Sequence, residues 1–330
     1  MLSKGQKLNR KMFQKNVEKT PTRNGYGEGL VLAGEADERV VALCADLTES
    51  TRTQAFAEKF PERFFQLGVA EQNMALVAAG LGVSGKIPYI ASYATFSPGR
   101  NWEQIRTTIS YNNSNVKIAG HHAGISVGPD GATHQALEDI ATTRTMANMR
   151  VIVPCDVHEA RKATVAAAKI AGPVYLRFGR EATPVVTSEE TPFNPGEAQV
   201  FWESARPQCA IVACGILVHE AMLAAKELEG HQIGTMVINN HTVKPLDKAT
   251  LIEAARRCSA VVSVEEHQVE GGMGSALAEL LAKELPTPQE FVGMQGVFGE
   301  SGPPEALIQK YGMGSKDIIS AVKRVIRRKR

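Results

Sequence analysis

The chain has 330 residues, with 37 Lys and Arg against 35 Asp and Glu, a net charge of +2. Hydrophobic residues make up 43% and charged residues 22%, a balance that excludes disordered, collagenous and disulfide-scaffold classes. At about 150 residues per domain, the length predicts two domains, each able to bury a core.

No apolar run approaches the roughly 18 residues of a membrane span. The first residues are basic without an apolar stretch, unlike a secretory signal. Five cysteines show neither paired nor zinc-like spacing, which fits reduced thiols and a cytoplasmic location. Six basic residues fall in the last eight positions, 323–330, and the rest of the chain carries 31 basic against 35 acidic residues. That acidic body argues against nucleic-acid binding, and the basic run is expected to be a frayed, solvated helix end.

From residue 40 onward β-rich and helical patterns alternate. Strands are predicted at 40–47, 63–68, 87–94, 116–124, 150–156 and 173–179. Helices are predicted at 71–83, 102–112, 133–146 and 157–172. The rhythm breaks at 186–200, where two Pro, a Gly and three Glu read as a linker. A second series follows, with strands at 209–216, 233–240, 260–267 and 290–296. Its helices are expected at 217–229, 246–257, 273–285 and from about 303. The fold class is therefore α/β with parallel sheets covered on both faces. The division is an arm over 1–19, one domain over 20–190 and another over 200–330.

Two glycine motifs are decoys. Gly80-x-Gly82-x-x-Gly85 spells a dinucleotide fingerprint but ends a helix pattern. Gly271-Gly272-Met273-Gly274 opens a helix after a strand, where close backbone approach is the simpler explanation. There is no P-loop, and no Gly-Asp-Gly followed at about 25–30 residues by Asn.

Four segments at strand ends hold the chemistry, where open α/β sheets bind ligands. Ala45-Asp46-Leu47-Thr48-Glu49-Ser50 ends an apolar strand. In Gly68-Val69-Ala70-Glu71-Gln72-Asn73-Met74 a carboxylate starts an Ala-rich helix, either favoured by the helix dipole or kept for a ligand. Tyr93-Ala94-Thr95-Phe96-Ser97-Pro98-Gly99-Arg100 offers aromatics as core or as a stacking face. His121-His122-Ala123-Gly124 and Gly128-Pro129-Asp130-Gly131-Ala132-Thr133-His134-Gln135 set three His and an Asp in glycine-rich loops, a concentration that points to a binding site. His134 and Glu138 are expected one helical turn apart, and with no further ligands they favour polyol recognition over a metal.

Ala-Asp-Leu, Gly-Val-Ala-Glu-Gln-Asn-Met, Tyr-Ala-Thr-Phe, His-x8-Asp-Gly-x-Thr-His-Gln-x-x-Glu and Arg-Phe-Gly-Arg occur together in this order, and the set resembles transketolases. Thr242-Val243-Lys244-Pro245-Leu246-Asp247 and Val264-Glu265-Glu266-His267 with Gly271-Gly272 resemble the transketolase C-terminal domain. The resemblance spans about residues 20–325 and covers only the second half of a full-length transketolase. It implies a thiamine-diphosphate-binding pyrimidine fold followed by a Rossmann-like C-terminal domain. It also implies the C-terminal subunit of a split enzyme, paired with a separate N-terminal subunit that holds the diphosphate and its Mg2+ or Ca2+. Two copies of each chain, α2β2, are expected, as are phosphorylated sugars of pentose phosphate metabolism; nucleic acid and membrane are not.

By position, the resemblance makes Glu71 the partner of N1′ of the aminopyrimidine, in an apolar pocket that favours sharing a proton with the ring. Phe96 matches the stacking aromatic, with Tyr93 nearby, and Asp46 lies beside the cofactor cleft. His134, the second catalytic candidate, and Asp130 match contacts to sugar hydroxyls. Arg23, Ser50, His122 and Arg180 match a phosphate site, a task that suits the arginine fork, with Arg177 as an alternative to Arg180. No metal ligand is implied in this chain. Gly99 stands where many full-length transketolases have a second aromatic. The spacing of Tyr93, Arg100 and Trp102 is similar to 1-deoxyxylulose-5-phosphate synthases. A half of that synthase, a 2-oxo acid dehydrogenase β-type subunit and a non-catalytic binding module therefore stay open.

Overall fold

The structure is a computed structural model that describes residues 1–329. In chain order its first part comprises β1 (Lys19–Pro21), α1 (Thr22–Ala36), β2 (Val40–Cys44), α2 (Gln54–Lys59), β3 (Phe64–Gln66), α3 (Glu71–Val83), β4 (Ile87–Tyr93), α4 (Trp102–Gln104), β5 (Lys117–His121), α5 (Asp139–Arg144), β6 (Arg150–Ile152), α6 (Val157–Ala168), β7 (Val174–Arg177) and β8 (Ala182–Pro184). The second comprises β9 (Gln199–Glu203), β10 (Cys209–Ala213), α7 (Val218–Gly230), β11 (Thr235–Asn239), β12 (Thr242–Lys244), α8 (Lys248–Cys258), β13 (Val261–Gln268), α9 (Met273–Glu284), β14 (Gln289–Met294), α10 (Pro304–Lys310) and α11 (Ser315–Ile326).

Sheet one has the order β12-β6-β7-β5-β4-β2-β3. Six of its strands are parallel, and β12 runs antiparallel along β6. Val40 and Ala42 of β2 pack with Tyr26, Leu30 and Ala160 on one face. Val41 and Leu43 pack with Met74, Ala75 and Ala78 of α3 on the other. Burial on both faces is why these strands are continuous apolar runs. Sheet two has the order β14-β13-β10-β11-β9, with β9 antiparallel. The apolar cluster beneath α3 continues into Val212, Ile238 and Met273 of the second part.

Two expectations need correction, and one helix is not expected from the sequence at all. Residues 22–36 form that helix, in which Gly25, Gly27 and Gly29 resemble a turn by sequence. They are contact surface instead. A Cβ at Gly25 would collide with the Val157 carbonyl, and one at Gly29 would stand 2.7 Å from the Arg161 carbonyl oxygen, so α1 and α6 lie backbone to backbone. The predicted helix at 133–146 is helical only over Asp139–Arg144. Ala136 forms a bridge with Ala123, so His134 and Glu138 do not share a helical turn. The basic tail is not frayed through its helix. α11 buries Ile318, Ile319, Val322 and Val325, and Arg324 and Arg328 pair with Glu290; Arg330 lies outside the described residues.

The N-terminal arm is packed as well. Leu8 and Met12 are buried in the core of the second part, and the Ser3 N–H donates to the Phe201 carbonyl at 3.0 Å. Among the described residues no helix is long and apolar enough to cross a membrane.

Candidate active site

The six parallel strands of sheet one share a carboxyl edge, and register decides what meets there. Tyr93 stands opposite His121, and Gln66 opposite Cys44. The residues just past these strand ends therefore converge, the placement expected of ligand sites in such sheets.

Glu71 is the first residue of α3 and only 1% exposed. Its Oε2 lies 2.6 Å from Nη1 of Arg100, so an ion pair stands in the pocket that the resemblance implies is apolar. The Asn101 side chain donates to the Glu71 carbonyl at 3.0 Å. The Arg100 guanidinium also lies over the Phe96 ring, 4.6 Å from its centroid. It is a cation–π contact on a side chain 46% exposed. Arg100 is not among the site residues expected from the sequence; its signals there are its place in the turn after Phe96 and its spacing with Tyr93 and Trp102. Gly99 explains the missing second aromatic, since any Cβ there would collide with the Thr95 carbonyl.

Next to this pair is an aromatic cluster. Tyr93 stacks on His122 with centroids 4.0 Å apart, and the Phe96 ring is 5.9 Å from Tyr93. His134 meets Phe96 edge-on at 5.6 Å. Its backbone carbonyl accepts from Thr95 Oγ1 at 3.1 Å.

The third part of the site is cationic. Arg23 Nη1 donates to the Ser50 carbonyl at 3.0 Å and approaches His122 Nε2 at 3.2 Å. Because arginine only donates, Nε2 accepts and His122 carries its proton on Nδ1. Burial first, then Arg23 and Arg180, holds the His122 pKa down to about 3. Burial also lowers Arg23, helped by Arg52 and Arg180. Arg23 Nε and His122 Nδ1 are both buried without a partner, which leaves hydrogen-bonding capacity for a ligand. Arg180 Nη1 binds Asp130 Oδ1 at 2.9 Å.

Other candidates are set apart. Asp46, at φ 60°, accepts nothing from the cluster, and its N–H donates to Gln66 Oε1 at 2.7 Å. His121 is core, wedged between Tyr26 and Phe178. Arg177 is buried against Asp139 at 2.8 Å, which removes it as the substitute for Arg180. The Gly271–Gly274 turn holds an internal anion, since the Met273 and Gly274 N–H groups donate to the Glu265 carboxylate at 2.7 and 2.8 Å. That helix end has no room for a phosphate.

Residues 18–185 match the pyrimidine-binding domain of transketolase, and 196–318 match its C-terminal domain. The chain belongs to the transketolase family. It is 40% identical over 303 residues to a Methanocaldococcus jannaschii protein named as a transketolase C-terminal section, covering 91% of this chain and 94% of that one. It is 38% identical to a 6-deoxy-6-sulfo-D-fructose transketolase subunit of a Clostridium species, covering 96% and 98%. Against Rattus norvegicus transketolase, 32% identical, the match spans 94% of this chain and 49% of that one. Among solved structures it is similar to a split-gene transketolase described as an inactive beta4 tetramer, with TM-score 0.88, 46% identity and coverage of 94% and 99%.

Proposed function

We propose that the chain is the C-terminal subunit of a split, thiamine-diphosphate-dependent transketolase that moves a two-carbon ketol unit from a ketose phosphate to an aldose phosphate. The observation that carries this is the slot between Glu71 and Phe96 that holds the Arg100 guanidinium. A buried carboxylate that takes an N–H, beside an aromatic face that takes a flat ring, is what an aminopyrimidine needs. The residues therefore fit the cofactor's ring.

When bound, thiamine diphosphate supplies the electron sink for breaking and making the carbon–carbon bond. Glu71 holds the ring at N1′ and keeps a proton there. Phe96, with Tyr93 beside it, would offer the ring an aromatic face. His134 and Asp130 orient sugar hydroxyls, and Arg23, His122 and Arg180 bind the anionic end. Asp46, set apart from the cluster and bonded through its N–H to Gln66, is given no part in this reading.

Diphosphate and Mg2+ are assigned to a separate N-terminal subunit. This is supported by the relatives that match end to end and by the 49% coverage of a full-length transketolase. An α2β2 assembly fits that arrangement.

The test mixes the chain with such a subunit, thiamine diphosphate and Mg2+, and supplies xylulose 5-phosphate and ribose 5-phosphate. The mixture should turn over and the chain alone should not. An inert mixture overturns the proposal, and so does pyruvate consumption in place of ketol transfer. A second reading, with a sulfonate at the anionic end, is favoured by the sulfofructose relative. Comparing 6-phosphorylated and 6-sulfonated ketoses in the same assay separates the two.

A further inference from the structure

His122, Asp130 and His134 sit on one loop, 122–135, whose regular structure is a kinked 3-10 helix over Ile125–Asp130. The first part holds its two ends, through Ala123 N–H to the Phe178 carbonyl at 3.1 Å and Gly124 N–H to the Ala136 carbonyl at 2.8 Å. Its middle is held from both parts: Arg180 of the first reaches the Val127 carbonyl at 3.3 Å and Asp130 at 2.9 Å, and the second adds its own contacts. Glu266, on β13, accepts the Ser126 N–H on Oε1 at 2.5 Å. Gln135 Nε2 bridges the Ile125 and Glu300 carbonyls at 3.2 and 2.9 Å.

Glu266 is 3% exposed, and its own carbonyl accepts from Arg177 Nη2 at 2.9 Å, so it is a fixed point. Gly124, at φ 88°, leaves the space the carboxylate fills, since a Cβ there would stand 2.5 Å from either carboxylate oxygen. An apolar side chain would fill that space without the desolvation cost of a charge. The carboxylate adds a bond to one chosen amide of the loop.

We propose that Glu266 is a positioning residue for the sugar site, acting through Ser126 to fix the loop from which Asp130 and His134 reach the sugar. The assignment rests on the ketol-transfer function above. It gives the second part of the chain a share in substrate recognition.

The test uses Glu266→Ala and Glu266→Gln in the full chain. Hydrogen exchange of the chain alone needs no activity. The Ala variant should speed exchange over 124–135 about tenfold and leave β10 and β13 unchanged. The Gln variant keeps an acceptor for Ser126 and should stay within about twofold of wild type. In complex with the diphosphate-binding subunit, the Ala variant should raise KM for the aldose phosphate about tenfold with kcat within about threefold, and the Gln variant should restore it. If the Ala variant does not fold, Glu266→Asp, which withdraws the acceptor by one methylene, takes its place with the same expected contrast. Unchanged loop exchange overturns the proposal, as does a fall in kcat at constant KM. If the loop responds but the wild-type complex transfers no ketol unit, the function fails and the sugar-site role falls with it, while the hold on the loop stands.

Discussion

Arg100 donates to Glu71 across 2.6 Å while its guanidinium covers Phe96. A guanidinium is flat, carries N–H donors and stacks on aromatics. It thus makes the contacts that an aminopyrimidine would make in the same slot, and it keeps a buried carboxylate from standing unpaired.

On the proposed function, the ring would have to displace this guanidinium. Arg100→Ala should therefore tighten thiamine diphosphate binding to the two-subunit complex by about threefold to tenfold, a gain of roughly 1 kcal/mol. Fluorescence titration measures it. Weaker binding would show instead that Arg100 helps to hold the ring.

On the proposed function, removing the Glu71 carboxyl would remove proton transfer at the ring. Glu71→Gln keeps the size and should lower kcat by about 10²–10⁴-fold. Assay at saturating cofactor separates this from a binding defect, and a variant with full rate would exclude the proton role.

Charge at the anionic end is carried by few groups. Arg180→Ala should raise KM for phosphorylated acceptors about tenfold or more, because a charge-assisted bond is lost. It should hardly change turnover of an unphosphorylated aldose. An equal effect on both substrates would place Arg180 away from the phosphate.

Stability should depend on pH through Glu159, whose carboxylate takes the Cys155 N–H and the Asn239 side chain at 2.6 and 2.7 Å. Burial, then Asp156 beside it, pushes its pKa up to about 7. A carboxyl raised on folding adds stability below its unfolded pKa and loses it as pH rises through the folded value. Glu159→Gln should therefore gain on wild type between pH 5 and pH 8, by on the order of 2 kcal/mol. Melting at both pH values measures it, and a constant difference would show that Glu159 does not titrate in that window.

Much of the fold is legible because two-sided burial writes itself as apolar runs such as Val40–Cys44. Helix α3 begins at Glu71 and ends at Val83, as its pattern predicts. Helix α1 is illegible for a local reason, since its glycines are contact surface and resemble a turn. Strand β12 has only three residues and exists because β6 offers an edge. The strand-end rule locates the site's edge, whereas the individual roles come from resemblance to a family. The Arg100–Glu71 pair joins residues 29 apart and depends on the shape of the turn after Phe96, which no periodicity encodes. The contact of Glu266 with Ser126 spans 140 positions and is invisible for the same reason.

Strand β12 belongs by sequence to the second part of the chain but completes the first sheet. A fragment ending near residue 190 would therefore leave the amides and carbonyls of β6 open at a raw sheet edge, an invitation to intermolecular pairing. This strand, with the apolar cluster and the N-terminal arm shared between the halves, ties them into a single cooperative unit, so shuffling or separate expression of the halves should yield aggregates rather than working modules.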